Sequence, residues 1–128
     1  MSFEHAITEE YIGGGATRTK RNTYTADAQN SREVAIADSE TDFEVALALD
    51  VSEIKALYIC STQDVTLETN DGSTPDDTIS LKANVPYIWH EDSYHDCLLT
   101  TDVTALFITN ASGAEATLII EVAFDSTP

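Results

Sequence analysis

Positive charge is what this chain has least of. Across 128 residues, six Lys and Arg stand against 23 Asp and Glu, a formal net charge of -17. An excess of that size repels phosphate backbones and anionic lipid, so neither nucleic acid nor a membrane surface is expected as a partner. Long apolar runs are missing as well, and no segment approaches the ~20 residues of a membrane span. The opening MSFEHAITEE puts acids where a basic leader region belongs and has no apolar core behind them, so no secretory leader is expected. Cysteine is scarce. Cys60 and Cys97 are too few for a disulfide framework, and both sit in apolar runs (YIC and CLL), where buried free thiols are the expectation. The chain also lacks a nucleophile elbow, a phosphate loop and a dinucleotide fingerprint. No enzyme, no cofactor and no catalytic or metal-binding residue is therefore expected.

What is present is unevenly spread. The first 32 residues hold Arg18, Lys20, Arg21 and Arg32 against Glu4, Glu9, Glu10 and Asp27, and are neutral. The other 96 hold two cations, Lys55 and Lys82, and 19 acids. The neutral segment shows no sustained hydrophobic period and contains Gly13, Gly14 and Gly15, whose backbone is unusually free. It reads as an extended N-terminal arm over residues 1–31, hinged at the glycines. The remainder, 32–128, reads as one domain, and 42% hydrophobic residues is enough for a core.

Within that domain, short runs alternate with period two, which signals strands. They are 33–37, 43–49, 54–60, 65–69, 78–81, 86–90, 97–99, 103–109 and 116–124. Phe43, Val45, Leu47 and Leu49 share one face, as do Leu118, Ile120, Val122 and Phe124. The run 54–60 is apolar nearly throughout, which suits a central strand covered on both sides. Asn110–Glu115 reads as a hairpin turn with Gly113 at positive φ. No stretch between strands is long enough for a parallel crossover. The pattern predicts an all-β, antiparallel β-sandwich, jelly-roll-like, carrying the arm.

Several clusters have residue types that could carry chemistry. WHEDSYHD sets His90, Asp92, His95, Asp96 and Cys97 close together, but a solvated loop explains them better than a metal site. NDGSTPDD has acids without the spacing of a calcium loop and reads as a turn. Asn110-Ala111-Ser112 is formally a glycosylation sequon and is also best read as a turn. Tyr87, Trp89 and Tyr94 offer either core packing or, with Trp89 outward, a platform on which a sugar could stack. The basic knot of Arg18, Lys20 and Arg21 is the strongest binding candidate. Exposed ion pairs contribute only about 0–1 kcal/mol each. Firm docking on an acidic partner surface would therefore need added burial by Tyr11, Ile12 and Tyr24, or repetition by symmetry.

Two stretches, DVTLETNDGSTPDDTISLKANVPYIWH and LLTTDVTALFITNASGAEATLIIEV, carry a resemblance that extends over about residues 45 to 125. With their short strands, Thr/Asn/Asp/Gly turns and a hydrophobic final hairpin, they resemble small β-rich virion proteins of tailed bacteriophages, of the capsid cement or decoration type. The resemblance implies a structural protein on the capsid surface of the virion, made in the host cytoplasm. It would bind the major capsid protein and its own copies, with a homotrimer expected because three-fold positions are common sites on icosahedral shells. A carbohydrate- or receptor-binding module of a phage tail or fibre is the alternative.

Overall fold

Alternating apolar side chains build ten strands, with no α-helix among the described residues, 2–126, of this computed structural model. In chain order they are β1 (Phe3–Gly13), β2 (Ala16–Ala26), β3 (Ala28–Ile36), β4 (Phe43–Leu49), β5 (Ile54–Ser61), β6 (Val65–Thr69), β7 (Thr78–Leu81), β8 (Tyr87–His90), β9 (Val103–Thr109) and β10 (Ala116–Phe124). A 3₁₀ turn, Val51–Glu53, precedes β5. Asp50 caps it, its Oδ1 accepting from the Ser52 N–H at 3.0 Å. Cys97–Leu99, expected as a strand, is irregular.

Strands β3–β10 form two four-stranded sheets, in the orders β3-β10-β5-β8 and β4-β9-β6-β7, and every pairing is antiparallel. The expected antiparallel β-sandwich is thus present. The inner faces meet in one core. Ile36, Leu57, Leu118, Ile120 and Val122 come from the first sheet, and Leu67, Val103, Leu106 and Ile108 from the second, each at most 2% exposed. Within the sandwich most links pass from one sheet to the other, and only β6 and β7 are both consecutive and paired. This corrects one expectation. β9 and β10 lie in different sheets, so 110–115 is a crossing between layers and not a hairpin turn. Gly113 does take positive φ there, at 91°.

Asn110 holds that crossing. It is fully buried, and its amide nitrogen donates to the carbonyls of Ile36 (3.1 Å), Ala37 (3.2 Å) and Ala114 (2.8 Å). Its Oδ1 accepts from the N–H and hydroxyl of Ser112. All its hydrogen-bonding capacity is turned inward, which is what a buried amide requires. A glycan could not attach to a nitrogen so engaged.

The largest departure from expectation lies at the start of the chain. Residues 3–26 are not a hinged extended arm. They form an eleven-pair antiparallel hairpin, from Phe3↔Ala26 to Gly13↔Ala16. Gly14 and Gly15 are its two-residue loop, with φ of 61° and 79°. Positive φ at both loop positions is the requirement of a type I′ turn, which matches the right-handed twist of the strands. The glycines therefore close a ribbon where the sequence suggested a hinge. The sandwich begins at Ala28, four residues before the boundary read from the sequence.

Candidate functional site: the N-terminal hairpin

Directly opposed residues of an antiparallel pair share a face, so the register sorts the hairpin into two faces. Phe3, His5, Ile7, Glu9, Tyr11 and Gly13 share one with Ala26, Tyr24, Asn22, Lys20, Arg18 and Ala16. Glu4, Glu10 and Ile12 share the other with Thr25, Thr19 and Thr17. The first face sits on the outer side of the β3-β10-β5-β8 sheet, and the small residues Ala56 and Ala123 leave room for it. Tyr24 and Ala26 pack there with Ala56, Ala123 and Ile7 in a second, minor core.

The contacts trace the hairpin's path. At its root, His5 Nε2 lies 2.9 Å from Gln29 Oε1 on β3. Further along, Tyr24 reaches β8, where its hydroxyl oxygen is 2.6 Å from His90 Nδ1 and donates to Asp92 Oδ2 at 2.9 Å. Asn22 donates to the Tyr24 oxygen (3.1 Å) and to Asp92 (3.3 Å). Glu9 Oε1 lies 3.2 Å from His90 Nε2. The hairpin thus crosses the sheet from the β3 side to the β8 edge. A cleft of about 380 Å³ remains beneath β1, lined by Ile7, Leu57, Tyr58, Ile88, Glu4 and Glu121 among others. Burial, then the neighbouring Asp92 carboxylate, push the Tyr24 phenol above its usual value of 10.0.

Beyond Glu9 and Lys20 the ribbon overhangs the sandwich. Tyr11 and Ile12 are each 71% exposed, and Arg18, Lys20 and Arg21 are exposed. The six arm residues singled out in the sequence therefore separate. Tyr24 is 5% exposed and serves its own chain, so it is not available to a partner. Tyr11, Arg18 and Lys20 lie on the face continuous with the docked one, and Ile12 and Arg21 on its reverse. Tyr11 is paired with Arg18 across the ribbon, and Glu9 with Lys20.

The aromatic set of the alternative reading is not brought together. Tyr87 and Trp89 point inward and pack against the main core, while Tyr94 stands fully exposed in the following loop. Trp89 Nε1 donates to the His95 carbonyl at 3.0 Å. The Tyr87 hydroxyl accepts from the Leu98 N–H at 2.9 Å, and burial pushes its phenol up to about 12. Cys97, half-buried rather than buried, lies 3.9 Å from that hydroxyl, and Cys60 is likewise half-buried; both are free thiols.

The acids of the turns tie loops together. Asp71 accepts from the N–H groups of Ser73 and Thr74, and Asp77 from Thr100 and Thr101. Among the described residues no three His, Cys, Asp or Glu side chains gather as a metal site would need.

His90, read from the sequence with a solvated loop, is instead buried beneath the hairpin; its partners lie 66 and 81 positions away. Alternation in NTYTA was the available signal for β2. The site is therefore a β-hairpin pinned at its root to a β-sandwich, with a free cationic, aromatic end. No family model matches the chain, and neither a curated protein nor a solved structure is found to be similar to it.

Proposed function

We propose that this chain is a structural virion protein of the capsid cement or decoration type, and that the overhanging half of its hairpin grips the shell. The overhang carries the reading. It presents Tyr11, Ile12 and Arg18, with Lys20 and Arg21 at its base, on a ribbon that reaches past a sandwich otherwise dominated by acids. An element so exposed contributes nothing to its own core, and with Arg18, Lys20 and Arg21 against Glu9 and Glu10 it escapes the negative charge of the body. It suits the acidic surface of a major capsid protein or of a neighbouring copy, with a homotrimer as the expected assembly. Two four-stranded sheets whose links mostly cross between layers support a jelly-roll-like wiring. The mechanism is additive. Each overhang supplies a modest contact, and symmetric repetition over the shell makes the sum large. The inward packing of Tyr87 and Trp89 counts against the sugar-platform alternative.

The test is quantitative mass spectrometry of purified particles, followed by rebinding of the protein to heads from which it has been stripped. The expected result is many copies per head and restored resistance of stripped heads to heat. Absence from the particle, or a handful of copies located at the tail, would overturn the proposal.

A further inference from the structure

The contacts around His90 require one more proton than the neutral side chains supply. The ring is 3% exposed, and both nitrogens are engaged. Nε2 faces the Glu9 carboxylate at 3.2 Å. A carboxylate only accepts, so Nε2 must carry a proton. Nδ1 faces the Tyr24 oxygen at 2.6 Å, and that oxygen also lies 2.9 Å from Asp92 Oδ2 and accepts from Asn22. Tyr24 has a single proton to give. If it goes to Nδ1, two oxygens face each other at 2.9 Å with nothing between them. If it goes to Asp92, Nδ1 must donate as well. Moving the ring's only proton to Nδ1 instead would leave Nε2 bare against Glu9. Only a doubly protonated ring satisfies every contact. Imidazole is the most basic of the titratable types that could hold the extra proton here.

We propose that His90 is a proton-operated latch that holds the hairpin on the sandwich. The ring itself meets Glu9 from β1 and Tyr24 from β2; Asn22 and Asp92 reach it through the Tyr24 hydroxyl, and Ser93 holds the His90 backbone N–H. Lys20 lies opposite Glu9 in the ribbon; β5 and β10 put Ala56 and Ala123 at the seat, with Tyr58 and Glu121 lining the cleft beside it. One carboxylate, Glu9, thus meets the imidazolium directly, and a second, Asp92, meets it through the Tyr24 hydroxyl. Docking takes up a proton, so the hairpin's hold strengthens as pH falls and weakens as pH rises. The root sets where the overhang points, so the latch would regulate the grip. That biological use rests on the function proposed above, whereas the latch itself is a property of the isolated chain.

The experiment is amide hydrogen exchange of the full-length chain between about pH 5.5 and 8, the range in which histidine charge changes, corrected for intrinsic rates. Protection of β1 and β2 relative to β10 is expected to fall with rising pH, by up to about tenfold per pH unit for one linked proton. His90→Gln should abolish that dependence, and Glu9→Gln, whose side chain is 67% exposed and bears no core load, should reduce it. Should His90→Gln fail to fold, Glu9→Gln and ¹⁵N NMR of the His90 ring decide. Two protonated ring nitrogens in the docked state uphold the latch. A neutral ring in a docked hairpin, or an unchanged pH dependence in the variants, overturns it whether or not the protein binds heads.

Discussion

Asn110 shows how much one side chain can hold. Its amide ties the end of β3 to the crossing between β9 and β10, its two N–H bonds shared among the Ile36, Ala37 and Ala114 carbonyls. Truncating it removes those bonds from a fully buried position. Asn110→Ala is expected to cost about 1–3 kcal/mol, the range for lost bonding to buried polar groups, measured as a lower urea midpoint with an unchanged slope. The loop glycines are a second case. Ala at Gly15 would hold a side chain at φ 79°, which costs an L-residue roughly 1–2 kcal/mol. Because the turn lies in the overhang, that cost should fall on the hairpin alone. Residue chemistry was legible wherever it was local. Gly113 was placed at positive φ from its neighbours alone. The Tyr24–His90–Glu9 contacts were not legible, because a loop-like WHEDSYHD gives no sign of which distant strand will cover it.

Among the elements, β4, β6, β7, β9 and β10 have the limits that alternation predicts. Each has one face on the core, so its hydrophobic period is imposed by burial. The hairpin lacks that imprint. From Thr8 to Ile12 and from Thr17 to Arg21 both faces meet solvent, so no period distinguishes a ribbon from a coil. Its root buries mainly Tyr24 and Ala26 against alanines, too little apolar surface to mark the sequence. The near-continuous apolar run of β5 did predict cover on both sides, and the hairpin is what partly covers its outer side. Periodicity also could not tell a hairpin turn from a crossing at 110–115, since both join strands of the same pattern. The small size of Ala123 suggests a direct test of docking. Ala123→Leu should overpack the hairpin seat at a cost of about 1–3 kcal/mol. Trypsin should then cut faster at Arg18, Lys20 and Arg21 while the thermal midpoint of the sandwich changes little. A large fall in that midpoint with unaltered cleavage would contradict the assignment of Ala123 to the seat.

For the whole molecule, the dominant quantity is the net charge of -17. Crowded carboxylates resist ionisation where burial adds to repulsion. Burial, then the Asp42 charge, raise Glu68 above its usual 4.5, and burial, then Asp50, raise Glu53. Asp50 is held below 3.8 by the Ser52 hydroxyl and N–H, and Asp71 by the N–H groups of Ser73 and Thr74. The signs are opposite. The raised pair favours folding at low pH, and that contribution is lost as pH rises through their elevated values. The lowered pair favours folding above 3.8, and that contribution is lost as pH falls through their depressed values. The thermal midpoint is therefore expected to climb as pH drops from neutral toward about 5 and to fall again below 3.8. Added salt at neutral pH should raise it by screening the self-repulsion.

The same asymmetry of charge frames the proposed role, in which an acidic body is held in place by its one cationic extension. The measurement that bears on this most directly is co-sedimentation with stripped heads of the full chain against a variant in which residues 10–19 are replaced by Asn-Gly and Lys20 and Arg21 by Thr. That variant keeps Glu9, Asn22 and Tyr24, and so keeps the docked root. The account predicts a variant with the sandwich's thermal midpoint intact and head binding lost. A variant that sediments with heads as the full chain does would contradict it.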